Sequence, residues 1–175
     1  MDVTERSSSD AEARFREVFA HLPEVVAYAR RRGSHDPEAL GAETLTIAWR
    51  KLSQVPRDDP RPWLFATARN LIRAEWRSRD ARDGVATQEG AQLSPSLTVL
   101  DPELAEAMQS LSARDREALL LAAWEDLTPA LAARTLGITQ AAFRVRLHRA
   151  RRRLKNRLAV QRVDAALIGG GLEER

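Results

Sequence analysis

The stretch LTPALAARTLGITQAAFRVRLHRARRRLK, residues 127–155, decides the fold of the second half of the chain. Thr128 followed by Pro129 is typical of a helix start, because the hydroxyl caps free amides and proline lacks only an amide that would be unpaired. Gly137 predicts a tight turn, since a residue without Cβ readily takes positive φ. Apolar residues at three- and four-residue spacing then predict a second helix with one buried face: Phe143, Leu147, Ala150 and Leu154. The stretch therefore predicts a helix-turn-helix.

The second of these helices is strongly basic. From Arg144 to Arg162 every charged residue is arginine or lysine. A solvated helix usually mixes charges of both signs and forms i,i+4 ion pairs, so a helix of one sign indicates a polyanionic partner. We predict that this helix enters the major groove of duplex DNA. A basic helical hairpin with a solvated face is the alternative interpretation.

Length and composition limit the class of protein. With 175 residues, 43% of them hydrophobic, the chain has enough apolar material for one domain or two small ones. It contains no apolar run long enough to cross a bilayer and no signal-peptide pattern, so we expect a cytoplasmic protein without membrane insertion. The absence of cysteine and the three scattered histidines argue against disulfides and a zinc site. We find no catalytic constellation, and expect neither an enzyme nor a cofactor.

The first half begins with an amphipathic segment, whose apolar residues recur at helical spacing over residues 15–29. Pro23 interrupts this pattern and predicts a kink or two abutting helices near His21. Gly33 predicts the end of the segment. The three arginines at positions 30–32 are interpreted as a favourable, solvated helix end.

Two further helix starts in the first half are marked by proline. Asp36 and Pro37 predict a helix that runs to about Leu52, and Pro62 predicts a third helix. The third helix has an inward apolar stripe, while an aromatic residue, an amide and several arginines fall on other faces. Aromatic rings stack on unpaired bases and arginines bind phosphates, which indicates a candidate single-strand site: Trp63, Asn70, Arg73 and Arg77. Core or rim packing of the tryptophan is the alternative.

The pattern along the chain predicts five segments: a disordered N-terminus (1–14), a helical domain (15–80), a linker (81–100), a second helical domain (101–160) and a C-terminal tail (161–175). Glycine, serine, glutamine and proline alternate without period in the linker. A linker of this length implies that the two domains need not touch. The predicted fold class is all-α, with two small helical domains.

In their order and spacing, these segments resemble a bacterial RNA polymerase sigma factor of the extracytoplasmic-function branch, with region 2 followed by region 4. The stretch DPEALGAETLTIAWRKL, residues 36–52, is similar to the family's polymerase-binding helix. The stretch RPWLFATARNLIRAEWRSR, residues 61–79, resembles its minus-10 segment, and residues 127–155 resemble its minus-35 reader. The resemblance implies core RNA polymerase and promoter DNA as partners, and an anti-sigma protein as one that such factors often have.

The resemblance also implies roles for single residues. The minus-35 readers would be Gln140, Ala142, Arg144, Val145, Arg146, His148, Arg149 and Arg152. The minus-10 readers would be Trp63, Arg69, Asn70, Arg73 and Arg77. The polymerase-binding residues would be Glu38, Glu43, Thr44, Trp49 and Arg50.

Some positions depart from the family pattern. Ala39 and Ala42 replace an acidic residue and a glutamine that are common in the polymerase-binding helix, and Ala141 stands where the recognition helix usually begins with a Gly-Thr pair. Gly41 in mid-helix costs up to about 1 kcal/mol relative to alanine. Two alternatives stay open: a helix-turn-helix regulator that acts without polymerase, and, because of Ala39 and Ala42, a sigma-like adaptor or decoy that occupies polymerase without opening promoters.

Overall fold

The computed structural model describes residues 3–83 and 101–170, and the side chains within 9–82 and 101–161. These ranges are helical and contain no strand. The first half consists of α1 (Val3–Phe19), α2 (Leu22–Arg31), α3 (Pro37–Arg50), a 3-10 turn (Leu52–Gln54) and α4 (Arg61–Asp83). The second half consists of α5 (Pro102–Gln109), α6 (Ala113–Ala123), α7 (Pro129–Leu136) and α8 (Gln140–Gly170). The predicted all-α fold class is confirmed.

Side-chain caps account for most of the helix starts. The Asp36 carboxylate accepts the amide of Ala39 at 2.9 Å, and Asp101 accepts the amide of Leu104 at the same distance. Ser112 caps α6 in the same way, at 3.2 Å. Each side chain satisfies one amide that has no partner within its own helix. Pro23 lies at the start of α2, and the chain breaks between α1 and α2 near residue 21, as predicted.

Three predicted boundaries are wrong. The segment 1–14 was expected to be disordered, but α1 already begins at Val3. The linker was expected from residue 81, but α4 continues to Asp83, and positions 84–100 lie outside the described residues. The tail was expected from residue 161, but α8 continues to Gly170. No proline or glycine interrupts the chain between residues 3 and 14 or between 140 and 168, so nothing in the backbone forces these helices to end earlier.

The first half packs α2, α3 and α4 against one another, with α1 against α3. Its largest fully buried side chains include Tyr28 and Phe65, whose rings stack with centroids 4.8 Å apart. Gly41 lies where α3 crosses α2, and a Cβ there would be 2.7 Å from a methyl group of Val26. The glycine that was interpreted as a cost to α3 therefore permits the close approach of two helices.

The second half packs α8 against α5, α6 and α7. Phe143 and Ala150 of α8 are fully buried in this interface, and Leu147 is nearly so, which confirms the predicted inner face. The two halves also touch each other. Helix α7 packs against α4, and the buried apolar side chains of both halves form one continuous cluster. The contact between the domains is therefore part of the observed fold, although the linker length did not require it.

Candidate nucleic-acid interface

The helix-turn-helix forms as the sequence predicts. Thr128 accepts the amide of Leu131 at 3.4 Å at the start of α7, and Gly137 ends this helix with φ 65° and ψ 35°. Thr139 then accepts the amide of Ala142 at 3.2 Å and begins α8. A left-handed residue between two capped helices sets the angle at which α8 leaves the turn.

The outer face of α8 is exposed. Seven of the eight predicted minus-35 readers have exposed side chains, namely Gln140, Ala142, Arg144, Val145, His148, Arg149 and Arg152. The eighth, Arg146, is half-buried. Val145 is a large apolar residue with 51% exposure, between arginines that have no ion pair within the described residues. Arg153, further along the helix, pairs with Asp115 of α6. This face combines cations for phosphates with short side chains that can approach base edges.

The predicted single-strand readers on α4 are divided between two environments. Asn70 and Arg77 are exposed. Trp63 is half-buried and packs against the core, so the rim interpretation describes its present position. Arg69 and Arg73 are half-buried and line a cleft between the two halves, together with Trp76.

The opposite wall of this cleft belongs to the second half. It consists of Ala113, Arg114 and Glu117 of α6, while Arg32 of the first half lies beside it. The lining of the cleft thus contains four arginines and one glutamate, of which Arg32 pairs directly with Glu117. Part of the α4 face to which the sequence assigns DNA contacts lines this cleft.

The predicted polymerase-binding residues lie on α3. Glu38, Glu43, Trp49 and Arg50 are exposed, and Glu38 also pairs with Arg30. Thr44 is fully buried, and its hydroxyl donates to the carbonyl of Leu40 at 2.8 Å. The interpretation of Thr44 as a contact residue is therefore wrong for this structure. Its place four residues after Leu40 and four before Ala48 is the signal that assigns it to the inner face.

An exposed apolar groove accompanies the α3 face. Trp49 is 46% exposed and Phe19 of α1 is 51% exposed, and Phe15 lies between them with its ring centroid 5.0 Å from that of Trp49. Leu22 and Leu45 complete the apolar lining. The sequence placed Phe19 in the inner stripe, whereas the structure exposes it. Aromatic residues in an open groove are typical of protein interfaces.

The arginines at the end of α2 are more than a helix cap. Arg32 is 5% exposed, and its Nε donates to Glu117 at 2.9 Å while Nη1 donates to Glu125 at 2.8 Å. Its guanidinium carbon lies 3.5 Å from the centroid of the Tyr28 ring. Arg31 pairs with the same Glu125. The interpretation of residues 30–32 as a solvated end is therefore wrong for two of the three.

Burial and charge shift the pKa values in this cluster in identifiable directions. Burial raises the pKa of the Tyr28 phenol well above its ordinary value, because the phenolate would lose its hydration. Burial, the largest single effect, would lower the pKa of Arg32, but the combined effects of Glu117, Tyr28 and Glu125 exceed it, so the pKa is raised. The arginine is therefore charged throughout the physiological range.

The described residues contain neither a helix that could cross a membrane nor a cluster of metal-binding side chains. In these ranges every helix is too short or too polar to cross a lipid bilayer. Among the same residues, histidine, aspartate and glutamate side chains nowhere converge in the groups of three or more that hold a metal ion.

Comparison with known proteins identifies both halves. A family model described as Sigma-70 region 2 matches residues 18–82, and one described as Sigma-70, region 4 matches residues 102–154. A curated relative, "Probable RNA polymerase sigma factor RfaY" of Xanthomonas campestris pv. campestris, is 34% identical over 158 residues. That match covers 83% of this chain and 39% of the relative, so the chain spans well under half of the relative's length.

Solved structures show the same architecture. The sigma factor RpoE of Bartonella quintana, solved in complex with the anti-sigma factor NepR, matches with a TM-score of 0.65 and 27% identity. The match covers 83% of this chain and 96% of that one. CnrH, solved with the cytosolic domain of CnrY, matches with a TM-score of 0.61 and 24% identity, over 83% of this chain and 88% of that one. At that identity the second match bears on the fold alone.

Proposed function

Since the chain belongs to the sigma-70 family, with region 2 followed by region 4 as in its extracytoplasmic-function members, we propose that it directs core RNA polymerase to specific promoters. In this function α8 reads the minus-35 element as duplex and α4 reads the minus-10 element as single strand. The observation that carries the proposal is the exposed basic face of α8, presented by a capped helix-turn-helix.

The duplex reader has the chemistry that the major groove requires. Arginine binds the O6 and N7 acceptors of guanine with two hydrogen bonds, and apolar side chains contact the thymine methyl group. Arg144, Val145 and Arg149 supply both kinds of contact from one exposed face. Ala141 and Ala142 stand at the entry of the helix and are exposed, so the sequence preference of this chain is expected to differ from that of relatives with another pair there.

The single-strand reader needs partners for unstacked bases. Asn70 offers an amide for base edges, Trp63 an aromatic edge, and Arg69, Arg73 and Arg77 offer cations for phosphates. Extruding a base from the duplex costs a few kcal/mol, which such contacts must offset.

Contacts with polymerase are assigned to the exposed residues of α3 and to the neighbouring apolar groove. Glu38, Glu43 and Arg50 supply charges around Trp49, which is the arrangement of an apolar centre with a polar rim. The complex of the RpoE relative with NepR supports an anti-sigma protein as a further partner. We place the protein in the cytoplasm and assign it no catalytic activity of its own, because polymerase performs the chemistry.

A run-off transcription assay with purified core polymerase tests the proposal. The core enzyme and this protein together are expected to yield promoter-specific transcripts from genomic templates that core enzyme alone does not yield. Absence of such transcripts on every template refutes the proposal. If the protein nevertheless binds core enzyme, the adaptor interpretation takes its place. If it binds a palindromic duplex as a dimer without core enzyme, the regulator interpretation does.

The role of α8 is tested by Arg149→Ala. This change should weaken binding to the selected minus-35 duplex by about 1–3 kcal/mol and relax the preference at one base position. Arg57→Ala is the matched control, because Arg57 is also exposed and carries the same charge but lies in the loop before α4. Equal effects of the two substitutions would argue against base reading by Arg149.

The role of α4 is tested by Asn70→Ala. Promoter opening should fall while binding of the closed promoter complex is retained, because the amide meets its base only after strand separation. Permanganate footprinting measures the unpaired thymines, and normal reactivity in the variant would contradict the assignment.

A further inference from the structure

The cleft between the two halves is lined by one face of α4 and one face of α6. The α4 wall consists of residues three or four positions apart, which therefore share a face of that helix: Arg69, Ile72, Arg73 and Trp76. The α6 wall contains Arg114 and Glu117, which are also three positions apart. Arginines of two different helices thus line one cavity.

The carboxylate in this cleft is already paired. Glu117 accepts from Nε of Arg32 at 2.9 Å and from the Tyr28 hydroxyl at 3.0 Å. Arg32 also donates to Glu125 at 2.8 Å, and Arg31 pairs with the same glutamate. Two arginines and two glutamates therefore balance one another beside the cleft, and Glu117 does not neutralise the remaining arginines of its lining.

Two arginines on opposite walls have no such carboxylate. Among the described residues, neither Arg69 nor Arg114 forms an ion pair. Arg69 is half-buried, so its guanidinium has lost part of its hydration, which is unfavourable for a charge without a counter-ion. Arg73 adds a third guanidinium to the lining. The cleft therefore favours an anion, and phosphate above others, because the guanidinium fork matches pairs of phosphate oxygens.

The size and the apolar part of the lining restrict the anion further. The cleft has a volume of about 80 Å³. One water molecule needs roughly 10–15 Å³, so the space holds about five to eight heavy atoms, and a phosphate group has five. Trp76 is half-buried beside this space, so part of its indole remains accessible. An accessible indole is a stacking surface for a nucleic-acid base.

From these observations we propose that the cleft binds a free nucleoside monophosphate, with the phosphate between Arg69 and Arg114 and the base against Trp76. This site does not depend on the function proposed above. Arg69 and Arg73 are also assigned to the minus-10 strand, so a bound nucleotide should compete with that strand. Only this consequence rests on the proposed function.

Calorimetric titration of the full chain with adenosine monophosphate, in the presence of EDTA, tests the site. The parent should bind one nucleotide per chain, at least tenfold more tightly than inorganic phosphate, because the base adds a stacking contact. Arg114→Gln should weaken nucleotide binding at least fivefold, because it removes one charge from the α6 wall. Arg57→Gln is the matched control, because Arg57 is also exposed but lies in the loop before α4.

The base contact has a variant of its own. Trp76→Leu retains an apolar side chain against the core but removes the ring, so it should lower the affinity for the nucleotide to near that for inorganic phosphate. Its affinity for inorganic phosphate should not change. Arg69→Gln removes a charge from the opposite wall and does not depend on the folding of α6. Circular dichroism verifies that each variant is folded.

Three results would overturn the proposal. The first is the absence of saturable nucleotide binding up to about 10 mM, a concentration that fills even a weak site. The second is equal affinity for the nucleotide and for inorganic phosphate, which would leave an anion site without a base contact. The third is equal weakening by Arg114→Gln and Arg57→Gln, which would indicate non-specific attraction to a basic protein.

Competition with a fluorescent single-stranded DNA of mixed sequence separates this site from the minus-10 function. Saturating nucleotide should weaken strand binding by the parent at least threefold, while Arg114→Gln alone should bind the strand like the parent. If Arg114→Gln weakens the strand as much as the nucleotide, the occupant is a strand phosphate and the proposal fails. If the nucleotide binds but does not compete, or the strand does not bind at all, the site stands and the minus-10 assignment of Arg69 and Arg73 fails.

Discussion

The Gly41→Ala substitution tests whether α3 carries a glycine because α2 lies so close to it. A Cβ at this position would stand 2.7 Å from Cγ2 of Val26 and 3.0 Å from Cδ1 of Leu22. The leucine can change rotamer, but the β-branched valine is stiff at χ1, so the helices themselves would have to move.

Two opposing effects determine the magnitude. Alanine favours the helix interior by about 1 kcal/mol relative to glycine. Overpacking of a tight contact costs about 1–3 kcal/mol. We therefore expect the free energy of unfolding of Gly41→Ala to fall by up to about 2 kcal/mol rather than to rise.

A double-mutant cycle with Val26→Ala isolates the steric part. Val26→Ala removes the methyl group that the new Cβ would meet, so Gly41→Ala in that background should stabilise the protein by about 1 kcal/mol. The substitution Ala42→Gly is the matched control, because the adjacent residue is exposed on the same helix and should lose about 1 kcal/mol from propensity alone. Urea unfolding followed by circular dichroism measures all five proteins: the parent, the two single variants, the double variant and the control.

Whether Gly41→Ala lowers or raises the free energy of unfolding decides whether α2 and α3 lie as close together as the structure shows. If Gly41→Ala stabilises the protein as much in the parent as in the Val26→Ala background, the close approach of α2 and α3 does not exist in solution. Gly41 would then only destabilise α3 relative to alanine, as helix propensity predicts.

Two further predictions use other features. Tyr28 is the one tyrosine of the chain, so absorbance at 295 nm should report its ionisation alone, with a midpoint well above pH 10 that returns to about 10 in denaturant. Because its pKa is raised in the folded state, the stability it contributes is present below pH 10 and is lost as pH rises through the folded pKa; a midpoint near 10 in the folded protein would contradict the burial. Phe19→Ser should change the free energy of unfolding by under about 1 kcal/mol, since half the ring is exposed, but should weaken binding to core polymerase, with Ser53→Ala as the control in the same fluorescence titration. Unchanged binding would remove the apolar groove from the polymerase interface.

Local chemistry explains which features of the fold follow from the sequence. Asp36, Asp101 and Ser112 each cap a helix through an amide three residues away, and Gly137 takes positive φ within its own turn. These caps and this turn are formed by residues within a few positions of one another, so a short stretch of sequence is enough to predict them. The exposed face of α8 was predictable for the same reason, since helical spacing alone divides its residues between core and solvent.

The features that were missed depend on distant parts of the chain. Arg32 meets Glu117 and Glu125, which lie 85 and 93 residues further on, and no local pattern indicates which of three arginines turns inward. Phe19 has the spacing of a core residue, but α1 ends there, and none of the helices in the described ranges covers its ring. Thr44 could have been assigned to the core from its spacing, but its polarity indicated a surface residue.

The distribution of charge over the second half bears on the order in which the two proposed readers would meet DNA. Several acidic residues of the second half pair with arginines: Glu117 of α6 and Glu125, just after α6, pair with arginines of the first half, and Asp115 of α6 pairs with Arg153. The exposed arginines near the start of α8 have no such partner within the described residues. The proposed duplex reader is thus exposed, whereas Arg69 and Arg73 of the proposed single-strand reader line the cleft between the halves. Duplex DNA exists before melting and single strands only after it, so we expect the exposed face of α8 to meet DNA first and α4 to meet it once the strands have separated.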